Sequence, residues 1–175
     1  MRNNADTMSM LDLIMLKNII EANGLPAALL EQSDLLPLNT LIVDLPPDYQ
    51  NRARTLSYSF MPMDEEYFPD IKTVQAYSEF NFEIAEGQAE HVQVLIARLN
   101  RLLVMGSLGV TDNHRVYYRY VQILDKYESL RDREDVLLNV LNLILFALNV
   151  NAEVLEDVAI GKQTVDKAFA AFIED

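Results

Sequence analysis

The chain has no cysteine, and among its 175 residues are only 5 glycines, 6 prolines and 2 histidines. Without cysteine there is no disulfide, no thiolate nucleophile and no cysteine-ligated zinc or iron–sulfur centre. His91 and His114 are too few for a multi-histidine metal site. Positive charge is also scarce: 14 Lys and Arg face 27 Asp and Glu, a net charge of −13. That excess argues against nucleic acid, whose phosphates need neutralising by Lys and Arg, and against anionic membrane surfaces. The first residues, Met1-Arg2-Asn3-Asn4-Ala5-Asp6, lack the charged leader, apolar stretch and cleavage site of a secretory signal. The most apolar run, Val136 to Val150, is about 15 residues long and broken by Asn139, Asn142 and Asn149. A bilayer span needs roughly 20 residues. The expectation is a cytoplasmic chain with no membrane partner.

A hydrophobic share of 50% is too apolar for disorder, and the length suits one packed domain over residues 1–175. Ser9-Met10-Leu11-Asp12 has the spacing of a capped helix start. Helix then runs through Met15, Ile19 and Ile20 to Asn23-Gly24, with Pro26 beyond. Pro26 to Gln32 reads as a further short helical turn, and Leu38 to Leu45 as a strand ended by Pro46-Pro47. Leu56, Tyr58 and Phe60 alternate with Thr55, Ser57 and Ser59. Val74, Ala76, Ser78, Phe80, Phe82 and Ile84 alternate in the same way with Thr73 through Glu83, giving a strand with one wet face. The acidic stretch Pro62 to Asp70 is the loop between them.

From Glu86 to Val104 the period becomes helical, with Val92, Leu95, Ile96, Leu99, Leu102 and Leu103 on one face. Gly106 to Asp112 and Arg115 to Leu124 read as a hairpin turning at Asn113-His114. Tyr127 to Arg133 is a charged connection, Val136 to about Ala159 a third helix ended by Gly161, and Thr164 to Ile173 a short closing helix. The expected fold is α+β and two-layered: a five-stranded antiparallel sheet with helices on one face, order α-β-β-β-α-β-β-α.

That order resembles the type III secretion chaperone fold. The stretch from His91 to Ala168 is similar to the YbjN-type family of bacterial sensory transduction regulators. The residues concerned are Leu99-Asn100 closing the second helix, Gly106 opening a strand, Val116-Tyr117-Tyr118-Arg119 after the turn, and Gly161 and Ala168 in the closing segment. The likeness implies protein-binding or regulatory work without catalysis.

Side chains with chemical potential are few. Asp64-Glu65-Glu66, with Asp70 nearby, offers oxygen ligands but lacks the Asp/Asn-and-Gly alternation of a calcium loop, so it reads as a solvated hairpin tip. The alternative function, a small ligand- or metal-binding regulator or enzyme, would have to use these carboxylates. His91 and His114 each stand without a sequence partner that would make a catalytic base. Neither Ser107 nor Ser129 sits in a nucleophile elbow, and Gly106-Ser107-Leu108-Gly109 matches no phosphate-binding pattern. No catalytic residue, metal or cofactor is expected.

Two surfaces read as protein interfaces. Arg115, Tyr117 and Arg119 share one side of a strand, with Tyr77 on the wet face of another, and Glu79 and Glu83 are positioned to meet the arginines across neighbouring strands. On the third helix the apolar residues cover about two-thirds of the circumference at 100° per residue, whereas covering one sheet needs about a third. Asn139, Asn142 and Asn149 form the remaining seam, interrupted by Phe146. The excess around Leu138, Leu145 and Phe146 calls for another helix or a second molecule. The expectation is a homodimer that also engages a client protein.

Overall fold

The computed structural model describes residues 4–174. It is an α+β fold with one antiparallel sheet. The elements run α1 (Asn4–Ala22), β1 (Ala27–Leu30), β2 (Thr40–Leu45), β3 (Arg54–Met61), β4 (Ile71–Glu79), α2 (Ala89–Leu99), β5 (Ser107–Val110), β6 (Val116–Asp125), a 3-10 turn (Leu130–Arg133), α3 (Glu134–Ala159) and α4 (Val165–Glu174). The sheet has six strands in the order β1-β2-β3-β4-β6-β5, one more than the sequence suggests.

The added strand is β1, which falls where a helical turn is expected. Ala27 to Leu30 pairs antiparallel with Thr40 to Val43, and the Pro26 carbonyl accepts from the Asp44 amide. Four small apolar residues carry too little periodicity to separate helix from strand. Pairing with β2 decides it. Three boundaries also move. Ser9 lies inside α1 and does not cap it, because the helix already begins at Asn4. β4 stops at Glu79 and does not reach Ile84, although Phe80 and Phe82 stay buried and the Phe80 amide still donates to the Val116 carbonyl. α2 ends at Leu99, five residues short of Val104, and Leu102 is exposed.

The chain divides into two compact units. The first comprises Met1–Leu45, Thr55–Tyr77 and Tyr120–Leu141. Its core joins Leu13, Leu16, Ile19 and Ile20 of α1 to Leu41 and Val43 of β2, Leu56, Tyr58 and Phe60 of β3, and Val74 of β4. Period two along the strands and period 3.6 along α1 place these side chains on facing surfaces. One charged pair enters this core: Lys72 Nζ lies 2.7 Å from Asp12 Oδ2. On the opposite face of the sheet Thr40 Oγ1 and Ser59 Oγ lie 2.8 Å apart.

The second unit comprises Pro46–Arg54, Ser78–Arg119 and Asn142–Asp175. Val92, Leu95, Ile96 and Leu99 form the buried stripe of α2, as the sequence predicts. They share the unit's core with Leu108, Val116 and Tyr118 of the hairpin and with Ile144, Leu148, Leu155 and Val158 of α3. α3 ends at Ala159 before Gly161, also as expected.

With 26 residues, α3 is longer than the apolar run read from the sequence. Among the described residues one stretch, Leu130–Ala159, has the length and hydropathy to cross a bilayer, so length alone does not exclude a span. Part of it packs inward and part faces outward. Leu141, Ile144, Ala147 and Leu148 are buried, and Asn151, Glu156 and Asp157 are buried on the same helix.

Candidate functional site

Asn100, Gly106, Tyr118 and Ala168, singled out in the sequence, lie in the second unit. Past the end of α2, the Asn100 side chain turns back on β5: its Oδ1 accepts from the Leu108 amide at 2.8 Å and its Nδ2 donates to the Leu108 carbonyl at 3.1 Å. Gly106 has φ +73°, and a Cβ there would come within 2.3 Å of the Tyr118 hydroxyl. Only glycine fits that backbone and that approach. Tyr118 is fully buried and donates to the Met105 carbonyl at 3.0 Å. Ala168 of α4 is buried as well. These side chains hold backbone in place; their work is architectural.

Arg115, Tyr117 and Arg119 lie along the other face of this hairpin. Tyr117 stands opposite Gly109 in the register, with its ring where a Gly109 side chain would be. Arg115 Nη2 meets Glu83 Oε1 at 2.9 Å, and β4 and β6 are neighbours in the sheet, the adjacency that the chaperone-like resemblance implies. The pair is exposed, and exposed pairs contribute about 0.2–1 kcal/mol. Tyr77 belongs to the first unit, half-buried opposite Ser57, whose hydroxyl donates to the Tyr77 carbonyl.

The excess apolar arc of α3 is partly covered inside the first unit. Leu138 and Val140 line the same apolar crevice with Leu16, Ile19 and Ile20 of α1. In the second unit Leu145 is half-buried and Phe146 is 60% exposed. Leu143 and Val150 are exposed on the same helical face as Phe146, at spacings of three and four residues. No charged residue occurs between Asp135 and Glu153.

A charged cluster in the second unit was not legible in the sequence. Pro46 to Arg54 crosses from β2 to β3, and within it the Asp48 carboxylate accepts from the backbone amides of Gln50 and Arg52. Arg52 then forks: Nε donates to Asp48 at 2.7 Å, while Nη1 and Nη2 donate to the two oxygens of Glu156 on α3 at 2.9 and 2.5 Å. The Tyr49 hydroxyl also donates to Glu156, at 2.6 Å, and Arg54 reaches Asn149 Oδ1 at 2.6 Å. Glu156 is only 6% exposed. Burial pushes both carboxyls up, but hydrogen bonds and the Arg52 charge outweigh it, leaving Asp48 and Glu156 below their ordinary range. Burial and the bond to Glu156 push the Tyr49 hydroxyl up to about 12. Glu156 accepts all three of these hydrogen bonds, fixing the crossing segment on α3. The available sequence signal was a carboxylate on the apolar face of a helix, one turn beyond Ala152 and beside Leu155.

The acidic loop forms a turn. Asp64 Oδ1 accepts from the Glu66 amide, and Glu65 pairs with Lys126 at 2.9 Å. Among the described residues no group of three or more His, Asp or Glu side chains is placed to hold a metal ion. His91 Nδ1 lies 3.1 Å from Gln88 Oε1 on the surface, and His114 sits in the hairpin turn with φ +57°. No family model, curated protein or solved structure matches the chain.

Proposed function

We propose that the chain is a non-catalytic protein-interaction or regulatory module, YbjN-like and with a secretion-chaperone-like fold. It works in the cytoplasm as a homodimer that engages a client protein. The observation that carries this reading is the surface of α3 around Phe146. Exposing a large aromatic ring beside Leu143 and Val150 leaves apolar area in water at roughly 25 cal/mol per Å². In a chain of net charge −13, this uncharged helix face is where two copies approach with least repulsion. A two-fold pairing of like surfaces is the commonest closed solution. The client-facing candidates are Tyr77 in the first unit and Arg115, Tyr117 and Arg119 in the second, since Tyr and Arg are enriched at binding hot spots. The architectural role of Asn100, Gly106 and Tyr118 fits a family likeness of fold without catalytic residues.

Light scattering across a dilution series tests the reading. The expected mass is twice 20.0 kDa at micromolar concentration, with dimerisation tightening as salt screens the repulsion between two chains of net charge −13. Phe146→Glu should give a monomer with an unchanged circular dichroism spectrum. A monomeric mass for the unaltered chain at every concentration refutes the dimer.

A further inference from the structure

Three exposed aromatic side chains lie on two adjoining loops of the first unit. Tyr67 is 75% exposed and Phe68 48% exposed on the β3–β4 loop, and Tyr127 is 78% exposed just past β6. Lys126 brings the two loops side by side: its amide donates to the Asp70 carbonyl at 2.9 Å and its Nζ reaches Glu65 at 2.9 Å. The loops therefore present rings to solvent from a fixed backbone. Large exposed aromatics grouped in this way mark interaction surfaces.

The surrounding charge says what kind of partner fits. Glu65, Glu66 and Asp70 flank Tyr67 and Phe68 along the chain, and Lys126 joins the two loops through its pair with Glu65. An aromatic face attracts cations through its quadrupole, and neighbouring carboxylates add Coulomb attraction and repel acidic partners. We propose that Tyr67, Phe68 and Tyr127, on loops that also carry these carboxylates, dock a basic, arginine-rich segment of a client protein. This rests on the reading of the chain as a protein-interaction module and supplies the chemistry of its client. It is independent of the α3 surface, so the two fail separately.

Fluorescence anisotropy with a fluorescein-labelled synthetic peptide of Arg, Leu and Gly tests it, against a counterpart with Glu in place of Arg. The Arg peptide should bind at low salt and weaken as salt rises, and the Glu peptide should not bind. Tyr67→Ala with Phe68→Ala should weaken binding about tenfold, as hot-spot truncations do, and Tyr127→Ala should weaken it by a smaller factor. Glu65→Gln with Glu66→Gln and Asp70→Asn should weaken binding far more than the matched neutralisation of Glu83, Glu90 and Glu153 in the second unit. All these positions are exposed, so thermal melts should stay unchanged. Absence of binding overturns the proposal. So does equal weakening by the two neutralised sets, which would mean diffuse attraction, or indifference to the aromatic substitutions. Light scattering on the same variants separates the readings: peptide binding by a monomer refutes the dimer and leaves this surface standing.

Discussion

Replacing Arg52 by methionine removes the guanidinium and keeps the apolar stem. Glu156 then loses two charge-assisted hydrogen bonds and Asp48 loses one, while the Tyr49 hydroxyl still donates to Glu156. Two carboxylates with side chains 7% and 8% exposed are left without their counter-charge. Removing one partner of a buried ion pair costs about 3–5 kcal/mol. Arg52 is itself 26% exposed, so water relieves part of that cost and the lower end, about 3 kcal/mol, is expected at pH 7. The pH dependence is the sharper test. In the native protein both carboxyls sit below their ordinary values of 3.8 and 4.5. Their contribution is therefore present above those values and is lost as pH falls through the lowered ones. In Arg52→Met the burial remains while the guanidinium's bonds and charge are gone, so both carboxyls should move up from their lowered values, held back by the two amides on Asp48 and the Tyr49 hydroxyl on Glu156. The cost is then greatest at neutral pH and relieved as pH falls. Urea unfolding followed by circular dichroism at pH 7, 6 and 5 should show the variant gaining on the native protein. Adding Glu156→Gln should recover at least ~1 kcal/mol at pH 7 by removing one stranded charge. A single variant within about 0.5 kcal/mol of the native protein at pH 7, or with the same slope against pH, would refute the reasoning.

Gly106→Ala should destabilise the fold by more than about 2 kcal/mol, since it meets both a positive φ and the buried Tyr118 ring; a melting curve unchanged from the native protein would contradict this. A double-mutant cycle on Glu83 and Arg115 should return a coupling below ~1 kcal/mol that vanishes in high salt, as for exposed pairs generally.

What the sequence made legible depended on how local the cause was. The stripe of α2, the Asn23-Gly24 and Gly161 ends and the alternation through Val74 to Glu79 follow from short-range periodicity, and the structure has them. The Glu83–Arg115 pair was expected from the strand adjacency that the resemblance implies, and it forms just outside the strands, past the end of β4 and one residue before β6. β1 was missed because its identity comes from a partner strand some ten residues away. The end of α2 was misplaced because Asn100 gives its side chain to Leu108, a contact that no helical wheel contains. Arg52 and Glu156 stand 104 residues apart, and only the tertiary fold joins them. On α3 the apolar excess was visible, but not that α1 would cover Leu138 and leave Phe146 in water.

The pair of hydrogen bonds between Asn100 and Leu108 has a consequence for how the molecule avoids sticking to others. β5 is the last strand of the sheet, and an outermost strand offers unpaired amides and carbonyls to any passing extended chain. Because Leu108 spends both its amide and its carbonyl on Asn100, these groups face away from β6. The carboxamide therefore stands in for one residue of a seventh strand, in a segment only four residues long. One side chain at the close of a helix thus plugs the border where fibril-like growth would otherwise begin.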